Sequence, residues 1–123
     1  MSLGLKRATI AGRVSLAVTI PANQSLSQPA NVGVLTLTGI ILPAGWQTAP
    51  LSFQASADGV TWQEMYTAAG TDVSTGPLTG PAWVALNPSD FAGIQFLRIR
   101  SGRASAPVTQ TAECTLMLIL RSV

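Results

Sequence analysis

The sequence predicts an all-β chain that folds as a two-sheet antiparallel β-sandwich, jelly-roll-like, with about seven or eight strands. No stretch longer than about six residues shows the 3.6-residue period of a helix. Apolar and polar residues alternate instead in segments of about five to nine residues, separated by many of the 11 glycines and 8 prolines. A chain of 123 residues makes one domain that buries a core without disulfide or metal support.

The first segment, Met1–Arg13, has neither a helical nor a strand period and is predicted to be an N-terminal arm. The sandwich domain is then 14–123. The arm carries Lys6, Arg7 and Arg13, which are candidate interaction residues. We expect such an arm to be either a frayed terminus or a segment that orders on a partner.

The strands outside the central hairpin follow from alternation. The first has Val, Leu, Val and Ile on one face, with Ser, Ala and Thr on the other. Gly39 interrupts the second and indicates a β-bulge or bend. The predicted strands are 14–20, 34–42, 82–86, 94–101 and 113–121, with a shorter one at 71–74.

The central element is a hairpin over Leu51–Tyr66. Asp58-Gly59 suits a two-residue type I′ turn, in which both residues need positive φ. That turn pairs Ala55 with Trp62 and places Trp62 in the core. A shift of one residue would instead move the tryptophan onto the face that carries glutamines.

Two arginines share the polar face of the strand at 94–101. Arg98 and Arg100 lie about 7 Å apart along it. We expect them to be solvated, or to pair with Glu64, Asp72 or Glu113 on a neighbouring strand or with an acid of a neighbouring subunit. The alternative is that they bind a carboxylate or a sugar acid.

Two tryptophans and the last strand are the remaining candidates for a core or an interface. Trp46 is predicted to cap the core edge, with an exposed interface contact as the alternative. Trp83 is predicted to be a core residue. Met117 and Ile119 lie on the second face of the last strand, which implies that a partner subunit or an overlying loop covers that face.

Composition excludes several functions. The net charge is +2 and no basic face is concentrated, so the sequence predicts no nucleic-acid binding. The chain has no histidine and one cysteine, Cys114, which we expect to be a buried hydrophobe. We predict no catalytic, cofactor or metal site, no enzyme activity and no membrane association. No secretion signal is evident, so synthesis in the cytoplasm is expected.

Two segments carry a resemblance to known families. Ser56-Ala57-Asp58-Gly59-Val60-Thr61-Trp62, followed by Phe96-Leu97-Arg98-Ile99-Arg100, resembles the hairpin and later strand of discoidin-like and galactose-binding-like sandwiches. This resemblance implies a sandwich fold and sugar binding. The wider set LSFQASADGVTW, FAGIQFLRIRSG, APVTQ and TLMLILR is similar to small all-β proteins encoded among phage head and tail genes.

The phage resemblance implies a structural virion protein, of the capsid decoration or head-fibre type, made in the host cytoplasm. Its expected partners are the major capsid protein, other virion proteins or its own copies in a homo-oligomer. Low charge, at 10% of residues, agrees with a protein that packs against neighbours. The alternatives are a carbohydrate-binding or adhesion module, for which a glycan is the partner, and a tail or head-tail connector component.

Overall fold

We obtained a computed structural model of the chain, which describes residues 13–122, the side chain of Arg13 excepted. Nine strands and one 3₁₀ turn (Pro88–Asp90) lie in this part. The strands are β1 (Arg13–Ile20), β2 (Ala30–Asn31), β3 (Thr36–Leu42), β4 (Leu51–Ser56), β5 (Gln63–Glu64), β6 (Ala82–Ala85), β7 (Phe96–Arg103), β8 (Ala106–Pro107) and β9 (Cys114–Arg121).

The strands form two antiparallel sheets, which confirms the predicted β-sandwich. The four-stranded sheet has the order β1-β9-β3-β6. The five-stranded sheet has the order β2-β7-β4-β5, with β8 paired to β7. The two-residue strands β2 and β8 are too short to give a sequence period, and the sequence did not predict them.

The core lies between the sheets and combines alternate strand residues, which the periodicity selected, with loop residues such as Phe91, which it did not. Within it, the rings of Phe53 and Phe91 meet edge to face with their centroids 4.9 Å apart, a favourable aromatic geometry. Other fully buried side chains include Ile20, Leu37, Ile40, Leu42, Leu51, Leu97, Ile99, Leu116, Leu118 and Leu120. The inward faces predicted for β1, β7 and β9 are therefore confirmed.

A bulge occurs in β3 as the glycine predicted. The pairing of β3 with β9 shifts register between Leu37 and Gly39. At the bulge, the Thr38 hydroxyl donates a hydrogen bond to the backbone oxygen of Ile119 at 3.1 Å. The bulge returns the residues after it to the core side, so that Ile40 is completely buried.

The hairpin prediction is wrong in its turn and in its register. Strand β4 pairs Ala55 with Gln63 and not with Trp62, and six residues, 57–62, connect the strands. The Asp58 carboxylate accepts hydrogen bonds from the backbone N–H groups of Val60 and Thr61, each at 2.8 Å. This capping stabilises a wider loop, in which Asp58 does not take a positive φ.

The shifted register moves side chains between the two faces of the hairpin. Trp62 lies half-buried on the outer face, so its predicted core position is wrong. Met65, predicted on the polar face, is buried, whereas Tyr66, predicted on the apolar face, is exposed. The strand predicted at 71–74 is reduced to isolated bridges, which join Asp72 to Tyr66 and Ser74 to Ser52.

Candidate interaction surfaces

An ion pair lies on the outer face of the five-stranded sheet. Arg100 on β7 donates from Nη1 to Glu64 Oε1 at 2.7 Å and from Nη2 to Oε2 at 2.6 Å. The neighbouring Gln54 Nε2 donates to the same Oε2 at 2.7 Å, and Ser52 Oγ lies 3.3 Å from Arg100 Nη1. The arginine side chain is 9% exposed and the glutamate side chain 30%.

This bidentate contact sets the protonation of both partners. Hydrogen bonds from Arg100 hold the pKa of Glu64 below its ordinary value, although partial burial acts in the opposite direction. The same hydrogen bonds raise the pKa of Arg100 against the effect of burial. The predicted pairing of Arg100 with Glu64 is therefore confirmed, and the guanidinium fork is already occupied by a carboxylate of its own chain.

Arg98 has a different partner from the one predicted. Its guanidinium carbon lies 4.3 Å from the ring centroid of Trp62, which is a cation–π contact. Its Nε is buried without a hydrogen-bond partner among the described residues. Among the described residues, Arg98 contacts this indole ring and forms no ion pair with an acid on a neighbouring strand, while a partner from a neighbouring subunit stays a prediction.

A second ion pair lies at the end of the same sheet. Arg103 Nε donates to Asp72 Oδ2 at 3.0 Å, and hydrogen bonding to Arg103 lowers the pKa of Asp72. The two residues line a shallow cleft of about 360 Å³, which the exposed ring of Tyr66 also borders. An exposed ring, a carboxylate and a guanidinium therefore border the same cleft.

The four-stranded sheet presents a different outer face, which we call the outer apolar face. Its first row crosses all four strands as Ala17, Met117, Ile41 and Trp83, each paired with the next. The adjacent row is Ser15, Ile119, Gly39 and Ala85. No charged side chain occurs in either row, and serine is the one polar residue.

Trp83 dominates this face. Its ring is 59% exposed, so the prediction of a core position is wrong. Alternation along β6 directs Ala82 and Val84 inward and leaves Trp83 on the outside. A Cβ added to Gly39 would lie 3.1 Å from Trp83 Nε1 and 3.8 Å from the Cβ of Ile119, so the indole lies over the glycine.

Ile119 is also buried on this face. It is 5% exposed although it points away from the core, and the Trp83 indole lies over Gly39, which is the cross-strand partner of Ile119. Met117 in the first row is half-buried. Cover of the second face of β9 by a partner subunit or an overlying loop stays a prediction, and Met117 and Trp83 keep exposed surface there.

The other predicted interaction residues are buried or lie outside the part of the chain that the structure describes. Trp46 is 4% exposed and belongs to the core, which confirms its predicted position; its Nε1 has no hydrogen-bond partner among the described residues. Lys6 and Arg7 lie outside the described residues, as does the side chain of Arg13. Strand β1 begins at Arg13, one residue before the predicted start of the sandwich.

A buried glutamine was missed by sequence reasoning. Gln110 is completely buried in a segment that reads as a loop. Its Nε2 donates to the backbone oxygen of Gln47 at 3.0 Å and to Ser101 Oγ at 2.9 Å, and its Oε1 accepts from the backbone N–H of Gln47 at 2.8 Å. A single residue in a loop gives no periodic signal, so nothing in the sequence identifies this role.

Three further features can be stated for the described residues: clusters of metal ligands, the cysteine and apolar helices. Between residues 13 and 122, no three or more Asp, Glu, Cys or His side chains come together as metal ligands would. Burial raises the pKa of the Cys114 thiol, which disfavours the reactive thiolate. In the same part of the chain, no helix is long and apolar enough to cross a membrane.

Comparison with family models, with curated proteins and with solved structures gave no match to this chain.

Proposed function

We propose that the chain is a non-enzymatic structural protein of a bacteriophage virion, of the capsid decoration or head-fibre type. It is made in the host cytoplasm and docks on the shell, through the major capsid protein or another virion protein, and on its own copies. The observation that carries this proposal is the outer apolar face of the four-stranded sheet. The resemblance of the sequence to small all-β phage proteins supplies the biological setting.

The outer apolar face departs from the usual pattern of a sandwich. Antiparallel sheets that face water normally carry polar side chains on that side. Here Met117, Ile41 and Trp83 lie next to one another across three strands. A contiguous exposed apolar patch marks an interaction site more often than an accident of composition, and tryptophan and methionine are enriched in interfaces.

The outer face of the five-stranded sheet supports the non-enzymatic part of the proposal. Its carboxylates are held by arginines of the same chain, since Glu64 pairs with Arg100 and Asp72 with Arg103. The lowered pKa values of both acids disfavour proton transfer near neutral pH. Charges satisfied in this way stabilise a sheet and leave no free acid–base pair there.

Sugar binding is the second candidate, and the cleft beside Tyr66 favours it. An exposed ring next to Asp72 and Arg103 has the elements that stack on and hydrogen-bond a sugar. Against it, Trp46 is buried and Trp83 lies on the other sheet. Two rings side by side at one end of the sandwich were expected for a sugar site, so the geometry favours assembly.

The proposal is tested in particles of the virus that encodes the chain. Trp83→Ser together with Met117→Gln removes exposed apolar area from the docking face, and we expect a fall of about tenfold or more in the copies per particle, measured by quantitative mass spectrometry. The matched control is Tyr66→Ser with Val60→Gln, which removes exposed apolar side chains elsewhere and should leave incorporation unchanged. Absence of the unmodified protein from purified particles would refute the function.

The predicted arm gives an independent variant. Deleting residues 1–12 leaves every described strand intact, because β1 begins at Arg13. If the arm is a tether, the truncated protein should fold normally yet incorporate poorly. Full occupancy of the truncated protein would refute the tether without affecting the docking face.

A further inference from the structure

We propose that β1 pairs with β1 of a second copy in antiparallel orientation, about a two-fold axis at Ser15. The two four-stranded sheets would then form one continuous sheet of eight strands. The inference rests on the proposed function, because it treats self-association as part of assembly. It deepens that function by naming the surface through which two copies meet.

Within residues 13–122, strand β1 has an open edge. It is the terminal strand of its sheet, and β9 is the strand with which it pairs. The backbone oxygen of Thr19 accepts a hydrogen bond from the N–H of Gln28, at 3.0 Å, on the side away from β9. Because backbone groups of alternate residues point to the same side of a strand, those of Ala17, Ser15 and Arg13 also face the open edge.

This edge has little of the usual protection against pairing, since its one charged residue is Arg13 at the start of the strand. Natural edge strands are kept apart by charges, prolines, bulges or short length. Residues 14–20, VSLAVTI, contain no charge, proline or glycine, and the pairing of β1 with β9 is regular over all eight residues. The opposite edge, β6, has four residues, and β2, β5 and β8 have two each.

One register suits the free part of the edge. With the axis at Ser15, each Ser15 faces its own copy, Arg13 faces Ala17 of the second copy, and about six backbone hydrogen bonds form. An axis at Ala17 would instead place Ser15 against Thr19, whose carbonyl already accepts from Gln28. The chain's own loop thus restricts pairing to the first half of β1.

The same register covers apolar surface that the monomer leaves open. Val14 is 45% exposed and Leu16 is half-buried, although both point to the core side of the sheet. With the axis at Ser15, Val14 lies opposite Leu16 of the second copy in a non-hydrogen-bonded pair, where side chains are closest. The partly exposed inner residues at the open edge therefore become cross-strand neighbours.

The contact is small. About five residues on each side take part, whereas a stable interface has roughly 20–30. We therefore expect a weak dimer in solution. On a shell, several contacts made at once raise the effective concentration, so the same pairing becomes firm there.

Cysteine cross-linking of the full chain tests the register. Ser15→Cys places two thiols at the axis, where paired Cα atoms are about 5.5 Å apart. Ala17→Cys, equally exposed on the same strand, is the matched control, because its Cα would lie at least about 13 Å from its own copy. We expect disulfide-linked dimer on a non-reducing gel for Ser15→Cys and little for Ala17→Cys. Equal cross-linking of both, or linkage of Ala17→Cys alone, overturns the inference.

A charge at the edge gives a second measurement. Val14→Lys should raise the dissociation constant about tenfold or more in sedimentation experiments from roughly 10 µM to 1 mM protein. Val34→Lys, at a valine that is 96% exposed elsewhere, should not change it. The pairing is overturned if the full chain stays monomeric over this range of concentrations and Ser15→Cys gives no cross-link. That result overturns it whether the N-terminal residues cover the edge or leave it bare.

The two proposals fail in distinguishable ways. Dimerisation is measured on purified protein without particles, whereas docking is measured as copies per particle. Unchanged incorporation of the Trp83 and Met117 variant, with an intact dimer, would overturn the docking face alone. Full incorporation of a monomeric Val14→Lys variant would remove the edge pairing from assembly and leave the virion function standing.

Discussion

Breaking the Arg100–Glu64 pair from its two ends should have unequal effects on stability. The two side chains share two short hydrogen bonds, yet the arginine is 9% exposed and the glutamate 30%. Glu64→Gln leaves a positive charge that is nearly buried. Arg100→Met leaves a negative charge that reaches water and keeps its hydrogen bond from Gln54. We therefore expect Glu64→Gln to be the more damaging change.

The magnitudes follow from burial. Removing one partner of a fully buried pair costs about 3–5 kcal/mol. The partial exposure of Glu64 reduces this figure, and the side-chain oxygen of the new glutamine can still accept one hydrogen bond from Arg100. We therefore expect Glu64→Gln to lower the free energy of unfolding by about 2–3 kcal/mol. For Arg100→Met, the exposed carboxylate is solvated and the methionine keeps much of the packing, which gives about 1 kcal/mol.

Urea unfolding provides the assay, with the free energy of unfolding extrapolated to zero denaturant. Tryptophan fluorescence is a suitable probe, because Trp46 is buried in the core and becomes solvated on unfolding. The double variant removes both charges and should be more stable than Glu64→Gln alone by about 1 kcal/mol. Equal losses for the two single variants, or a larger loss for Arg100→Met, would refute the reasoning from burial.

The pair also contributes a pH dependence of known sign. The pKa of Glu64 in the folded chain is lowered by the hydrogen bonds from Arg100. As the pH falls through the ordinary glutamate pKa of about 4.3, the unfolded chain therefore binds the proton more readily than the folded one. Stability from this group is therefore present above that pH and is lost as the pH falls. Between pH 6 and about 3, the free energy of unfolding should fall less steeply in Arg100→Met than in the unmodified protein.

Three further predictions concern single residues. Trp62→Ala should cost about 1–2 kcal/mol in urea unfolding, because the half-buried ring loses its contact with Arg98; a loss of 3–5 kcal/mol would indicate a core residue after all. Gly102→Ala should cost at least about 2 kcal/mol, since φ is +92° and the new Cβ would lie 2.5 Å from backbone; Gly76→Ala, with open space around it, should change stability by less than about 0.5 kcal/mol, and equal losses would contradict this. Cys114, buried with a raised thiol pKa, should react with a thiol reagent only as fast as the chain unfolds, and rapid labelling of the native protein would count against it.

Much of the fold was predictable because alternation is a physical signal for a half-buried strand. The inner face of β9, from Cys114 through Leu120, follows directly from every second residue being apolar. The bulge at Gly39 was predictable because glycine inside a strand pattern weakens regular pairing. In both cases a local residue pattern corresponds to a local structure.

The hairpin was mispredicted because two turn chemistries compete for Asp58-Gly59. A type I′ turn requires positive φ at both residues, whereas the Asp58 carboxylate can instead bind two backbone amides of a wider loop. The wider loop shifts the register by one residue, which moved Trp62 out of the core and next to Arg98. One local choice thus changed the predicted environment of an entire strand.

The tryptophans show why exposure is hard to read from a sequence. Trp83 sits in a strand whose inward residues are Ala82 and Val84, so alternation alone places it outside, yet its size favours a core assignment. Trp46 lies in a connector that gives no period, and its burial depends on contacts distant in sequence. Burial of a large residue is decided by strand phase where a strand exists and by tertiary packing elsewhere.

The two outer faces of the sandwich differ in what remains available for a partner. On the five-stranded sheet, the guanidinium of Arg100 and the ring of Trp62 are already engaged within the chain, so a partner there would have to displace existing contacts. On the four-stranded sheet, the rows around Met117 contain no charge that must be desolvated. Docking on that face therefore gains from apolar burial at little electrostatic cost. Arg121 is exposed and lies two residues beyond Ile119 on the same face of β9, so a positive charge borders the apolar rows and can steer a negatively charged partner surface toward them.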